Sequence, residues 1–399
     1  MAIEHVVIIV KENHTLDNYF GTFPGADGQH LARAANPPPS DPFHDHLTWM
    51  RRAGDSRFHV QYTSDDIPDY FSYARNYTLC DHYFSEVAGP STPNHLMLIC
   101  ADAPIINNPQ HQYNPRPGQG YNLSSLPAQL EHAGLTWGNY GGYAFHYINE
   151  LAGHSGNHTR DLFLHDASSG QLPAVSWVYG DGRPDLSEHP RQNVTDGMRW
   201  TVDQVNAIVA GGLWSKTAIF ITWDDWGGWF DHVDPPVVER WNSAHAQRPA
   251  DAHPEFNGDP LRYGSRVPCL MLSPYAKAGH ISHQLNSHVS LVRFCQSTFN
   301  LPALNQRDGA SNAMSDCFRS HSEPVTASSM RLSRPVTAAR STMMVPGAAN
   351  MPPTPRQTEI SEAMPRIWRT LSRSSYVPRL SWETSRSTEA ELFNSRPCP

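Results

Sequence analysis

Two pairs of oxygen-bearing side chains stand directly behind apolar runs. Glu12-Asn13 closes the stretch that begins His5-Val6-Val7-Ile8-Ile9-Val10, and Asp224-Asp225 follows Thr217-Ala218-Ile219-Phe220-Ile221-Thr222-Trp223. Carboxylate and amide oxygens suit a hard or borderline divalent cation. Adjacent carboxylates at the end of a buried strand repel each other unless something positive lies between them, and a metal ion is the economical solution. For Glu12-Asn13 the competing reading is a cap or turn that satisfies backbone donors. For Asp224-Asp225 it is a solvated acidic turn, which the shielding aromatics Trp223, Trp226, Trp229 and Phe230 disfavour. The pair Gly227-Gly228 lets the backbone turn tightly beside the carboxylates.

A nucleophile candidate lies in SEVAGPSTPNHL, where a Gly-Pro turn precedes Ser91 and Pro93-Asn94 follows it. No G-x-S-x-G elbow is present, so an α/β-hydrolase triad is disfavoured. A serine without a local base can still be activated by metal coordination. A plain turn serine is the bland alternative. Among the 22 histidines, His189 in PDLSEHP and His46 in FHDH are the candidates for proton transfer or for contact with a phosphate oxygen. Asn94, His232 and His288 are candidate substrate-binding groups. Each of these histidines has an ordinary surface or structural role as its alternative. Trp226, Trp229 and Tyr143 could line a choline- or lipid-accepting mouth through cation–π contact, with core packing the more common use of such residues.

The elements that must position these residues read as strands alternating with helices. Residues 5–10, 172–179, 217–223 and 266–273 are strand-like, and polar residues gather at strand ends. A helix is expected from Ser64-Asp65-Asp66 through Tyr77, with Pro68 in its first turn. A second runs from Gly197 to Trp214, with Val202, Val205, Ile208 and Val209 on one face. A third runs from His288 to Phe299. The pattern predicts an α/β fold with a mostly parallel central sheet and helices on both faces. Residues 22–63 read as a long excursion over the strand ends, and residues 101–170 as loop-rich insertion.

Bulk properties bound the function. The chain has 399 residues, 39% hydrophobic and 17% charged, with 34 prolines and a net charge of -8. Such a chain can bury a large core, and its charge argues against a nucleic-acid partner. Six scattered cysteines form no CxxC pair, so a zinc ribbon is not indicated, and most are expected to be buried and reduced. The opening MAIEHVVIIV lacks the features of an export signal. As written it gives a cytoplasmic expectation, or a periplasmic or secreted one should a segment precede it. No run is long enough to span a bilayer. Beyond Cys317 there are eleven arginines and six glutamates but no lysine or aspartate, among many Ser, Thr and Pro. The expected division is therefore a catalytic domain over 1–318 and a loosely attached Arg/Ser/Pro-rich tail over 319–399.

Taken jointly, VVIIVKENHTLDNYFG, DIPDYFSYARNYTLCDHYFSEVAGPSTPNHL, LPAVSWV with SEHP, TAIFITWDDWGGWFDHVDPP and SRVPCLMLSPYAKAGHISHQLNSHVSLVRF carry a resemblance. Over residues 3 to 318 the chain resembles the bacterial phosphoesterase family that contains phosphatidylcholine-type phospholipases C and related acid phosphatases, a branch of the alkaline-phosphatase-like superfamily. The resemblance implies one divalent metal (Zn, Ca, Mg or Mn) held by Glu12, Asn13, Ser91, Asp224 and Asp225. It implies Ser91 as nucleophile, with Thr92 the neighbouring alternative, a phosphoseryl intermediate, and His189 and His46 as histidines at the phosphoryl group. The substrate would be a phosphate mono- or diester, phospholipid included. The alternative function is a catalytically silent ligand-binding protein of the same fold. Larger relatives carry C-terminal β-domains that this tail does not supply.

Overall fold

The β-branched run after Glu4 forms strand β1 (His5–Lys11), and every residue from Val6 to Lys11 is buried, so the strand is covered on both faces. The structure is a computed structural model that describes residues 3–52, 56–110, 112–113, 115–116 and 118–319. Apart from Arg319, the expected tail lies outside the described residues, as does Cys398.

Seven further strands complete the central sheet: β2 (Thr78–Cys80), β3 (Trp137–Tyr140), β4 (Asn157–His158), β5 (Val175–Tyr179), β6 (Thr217–Trp223), β7 (Cys269–Leu272) and β8 (His280–Ser282). Their spatial order is β8-β2-β7-β6-β1-β5-β3-β4. At its centre β1 runs parallel to both neighbours, with Val6 opposite Val175 of β5 and Ala218 of β6. β7 alone opposes its neighbours, antiparallel to both β6 and β2. The sheet is therefore mixed, with a parallel core of the predicted kind and one reversed strand.

Two strands, β3 and β4, come from the stretch read as insertion. Trp-Gly-Asn-Tyr has neither a β-branched run nor an alternating pattern, yet all four residues of β3 are buried. Asn139 there donates to Gly142 O and to Asn157 Oδ1, so side-chain bonds hold an edge that its sequence propensity does not advertise.

Four helices matter for the site: α1 (Pro68–Asn76), α2 (Ser91–Cys100), α3 (Val194–Ala210) and α4 (His288–Phe299). α1 starts at Pro68 with Ile67 before it and no side-chain cap, so Ser64-Asp65-Asp66 lies in the preceding turn instead. α3 packs on α1, and α2 packs on α4. α2 is buried along its whole length, from Ser91 to Cys100. The five cysteines within the described residues are buried free thiols. No helix among the described residues is long and apolar enough to cross a membrane.

Candidate active site

The register of β1 on β6 decides where chemistry can occur. Lys11 pairs with Trp223, the last residue of each strand, so Glu12-Asn13 and Asp224-Asp225 emerge side by side at the carboxyl edge of the sheet. This is where parallel strands present residues to a ligand crevice. The Asn13 N–H donates to Asp224 Oδ1 at 2.8 Å and ties the two pairs together. Asn13 itself has φ 65°, a left-handed conformation that asparagine tolerates. Gly227, at φ +57°, lies so close that a Cβ there would meet Asn13 O at 2.3 Å. The glycine is required both by its conformation and by that approach.

The third element is α2. Its first residue, Ser91, donates Oγ–H to Asp225 Oδ2 at 3.1 Å. Thr92 differs: its hydroxyl is paired with Tyr143 OH at 3.0 Å. One turn further along the same helix face, His95 places Nε2 3.2 Å from Glu12 Oε1 and 3.2 Å from Asp224 Oδ2. Sequence reasoning missed His95. The signal was its i+4 spacing from Ser91, which puts both side chains on one side of a helix.

Asn94 spends its amide on the loop that leads to the serine. Its Oδ1 accepts from the N–H groups of Glu86 and Val87, both at 2.8 Å, and its Nδ2 donates to Val87 O and Pro90 O. His288, first residue of α4, donates Nε2–H to Asp224 O at 2.6 Å and, as a neutral ring, accepts at Nδ1 from Tyr83 OH at 3.1 Å. It braces the backbone of Asp224, and burial lowers its pKa to about 4, which keeps it neutral.

The other histidines divide. His189 sits half-buried on the loop after β5, its ring 6.3 Å from that of His44. His44 Nε2 lies 3.3 Å from Asn13 Nδ2, so His44 adjoins the carboxylate–amide pair. His46 instead faces Ala88 O at 2.6 Å and Asp259 at 3.4 Å, packed between Trp49 and Phe256. His232 belongs to a separate network with Asp17, Asp231 and the buried Arg266, whose guanidinium neutralises the two aspartates. Of the aromatic mouth candidates, Trp226 and Trp229 are buried, Trp226 donating to His44 O, and Tyr143 packs against His95.

A buried glutamate holds the His189 loop. Glu188 receives Tyr70 OH at 2.6 Å, Tyr19 OH at 2.7 Å and Trp223 Nε1 at 3.2 Å, and it pairs with Lys11 Nζ at 3.3 Å. His14 Nε2 also reaches Glu188 O. With its charge and lone pairs so met, the residue is an anchor rather than a reagent.

Electrostatics mark the cup formed by Glu12, Asn13, Ser91, Asp224 and Asp225. Burial first, then the Asp224 charge, push the carboxyls of Glu12 and Asp225 up. Burial would raise Asp224 too, but His95 and the Asn13 N–H outweigh it and bring it to about 2. His95 responds inversely: burial would lower it, yet Asp224 and Glu12 lift it to about 10. Two carboxylates, Glu12 and Asp224, thus face one imidazole, with Asp225 beside them. Glu12 Oε1, Asn13 Oδ1 and Asp224 Oδ2 are buried without a hydrogen-bond partner, a costly condition unless a cation takes their lone pairs. Glu12, His95 and Asp224 offer ligand atoms within 4.8 Å of one another. The donor set fits a hard or borderline divalent ion.

The Phosphoesterase family matches residues 3–40 and 44–302. The non-hemolytic phospholipase C of Pseudomonas aeruginosa is 29% identical, over 74% of this chain and 54% of its own length. The non-hemolytic phospholipase C of Burkholderia pseudomallei is 26% identical, over 75% and 55%. Phospholipase C B of Mycobacterium tuberculosis is 26% identical, over 81% and 78%. The chain thus spans about half the length of the first two. Among solved structures, the murine ectonucleotide pyrophosphatase/phosphodiesterase 5 superposes with a TM-score of 0.48 at 9% identity, covering 79% of this chain and all of that one.

Proposed function

The chain belongs to the Phosphoesterase family, and from that premise and the cup at the sheet edge we propose that it is a metal-dependent phosphoric ester hydrolase of phospholipase C type, acting through Ser91. The observation that carries the reading is the convergence of Ser91 Oγ on Asp225 beside three buried oxygens that make no hydrogen bond, on Glu12, Asn13 and Asp224, with His95 Nε2 3.2 Å from the first and the last. Glu12, Asn13, Asp224, Asp225 and Ser91 would hold the ion. When bound, a divalent metal favours the ionised serine and offsets charge on the phosphoryl oxygens.

The chain's own residues supply the rest. Asp225 orients the Ser91 hydroxyl, and α2 points its N-terminus at the phosphoryl group, where partial positive charge favours an anion. Ser91 Oγ, ionised by loss of its proton to solvent, attacks phosphorus, the bond to the leaving oxygen breaks, and His189 gives that oxygen a proton. Water then attacks the phosphoseryl group, its proton passes to His189, and Ser91 Oγ leaves. His44, beside Asn13, takes the supporting place at the phosphoryl oxygens that the sequence reading gave to His46.

A cavity of about 610 Å³ reaches Pro90, the residue before the serine, and is lined by Phe43, His44, Arg191 and His253 among others. Phe43 is 84% exposed there. A large aromatic held out at the mouth suits the apolar or quaternary part of a phospholipid substrate.

The test is a paired assay on metal-loaded protein with p-nitrophenyl phosphate and p-nitrophenylphosphorylcholine. Turnover of the second ester above the first is expected. Folded, metal-loaded protein that releases product from neither would favour a silent binding protein instead.

A further inference from the structure

A second cavity, of about 620 Å³, shares no lining residue with the cup. Its walls include Asp102, Glu239, His245, Arg262, Tyr263 and Arg307. Arg262 is the unusual member. It is 2% exposed, yet its Nε and Nη1 have no hydrogen-bond partner among the described residues. Its ion-pair partner, Glu239, is 3.7 Å away and about half exposed. Arg307, the other guanidinium of the cavity, is already committed to the buried Glu86, with its plane over Tyr263. His245 pairs with Asp102 at 3.2 Å on the exposed rim.

A guanidinium carries five N–H donors in a rigid fork, and leaving them unmet in a buried place is expensive. The fork matches two oxygens of one oxyanion, the geometry that makes arginine suited to phosphate and carboxylate recognition. We propose that this cavity is a second ligand site, which takes a small tetrahedral oxyanion of the phosphate class on the fork of Arg262, with His245 at its entrance. The site backs onto the segment that leads to the serine: Glu86 takes Arg307, and Ala88 N–H donates to the carbonyl of Leu261, the residue before Arg262.

Inorganic phosphate titrated calorimetrically into the full, metal-loaded chain, against chloride at equal ionic strength, tests the assignment. Phosphate inhibition of ester hydrolysis reads the cup separately. Arg262→Met keeps bulk and removes the fork; it should weaken one phosphate site at least tenfold and leave the inhibition constant unchanged. Because a buried substitution can fail to fold, His245→Glu offers an independent arm. It sets a carboxylate on the exposed rim and should weaken the same site about tenfold. Unchanged phosphate binding in whichever variant folds would overturn the proposal. So would a loss of binding matched by an equal loss of inhibition, since the cup would then be the site observed.

Discussion

At Asp224 two demands meet on one side chain. Its Oδ1 accepts from the N–H groups of Asn13 and Asp225, which fixes the loop, while Oδ2 faces His95 without an oriented hydrogen bond. Asp224→Asn keeps an acceptor for the loop but removes the charge, so bound metal should fall sharply while the fold persists. Asp225→Asn should do the same, because the group that faces Ser91 is then a neutral amide. Elemental analysis after dialysis checks both, and full metal content in the two variants would reject the ligand assignment. Ser91→Ala should behave differently: the metal stays, and turnover drops by about a thousandfold or more, at about 1.4 kcal/mol of barrier per tenfold. Acid quenching of the wild type followed by mass spectrometry should find the adduct on Ser91; an adduct on Thr92 would move the nucleophile by one position. The residue types of this site were legible because paired carboxylates after a buried strand are hard to explain otherwise. His44 was not, since it does not adjoin the pairs in sequence and only the folding of the 22–63 excursion brings it there; His95 carried only its i+4 spacing from Ser91, which counts once residues 91–100 form a helix.

At the scale of elements, the site depends on a loop that carries little secondary structure. Residues 86–90 deliver the chain into α2, and Asn94, one turn inside that helix, reaches back to hold them through four of the bonds given above. Asn94→Ala would orphan the buried N–H groups of Glu86 and Val87. At roughly 1–3 kcal/mol for each of the two unsatisfied groups, a loss of about 2–6 kcal/mol is expected, read from the denaturant midpoint. Turnover should fall further than metal content, because the serine drifts while the strand-borne carboxylates do not. Equal losses of both would show that Asn94 supports the whole cup. The strands that carry those carboxylates were readable from their β-branched runs, and α4 from its apolar spacing. The reversed direction of β7 was not, because an apolar run of four residues reads the same either way. β3 escaped notice for a different reason: a buried Trp-Gly-Asn-Tyr is held by asparagine bonds, not by propensity.

For the molecule as a whole, the last described turn closes the body against its sheet. Phe318 stacks on Phe294 of α4 at 5.2 Å, and Cys317 Sγ lies 3.5 Å from Cys80 Sγ of β2. Asp316 adds a polar clasp, pairing with Lys277 and with His280 of β8, both at 2.9 Å. Burial would raise the Asp316 carboxyl, but hydrogen bonds from His280 and Lys277 reverse that and hold it well below the ordinary carboxylate range. A carboxyl depressed in this way binds fewer protons in the folded chain than in the unfolded one. Its contribution is therefore complete above the ordinary carboxylate pKa of about 4 and drains away as pH falls toward the lower folded value. Asp316→Asn removes the linkage without removing bulk. The stability gap between wild type and Asp316→Asn should be full at about pH 6 and shrink steadily below about pH 4. Thermal or urea unfolding of the pair across that range measures it, and using the difference cancels the many other carboxylates that protonate in the same window. A gap that stays constant down to about pH 3 would mean that the clasp is not electrostatic, and that apolar packing of Phe318 alone closes the body.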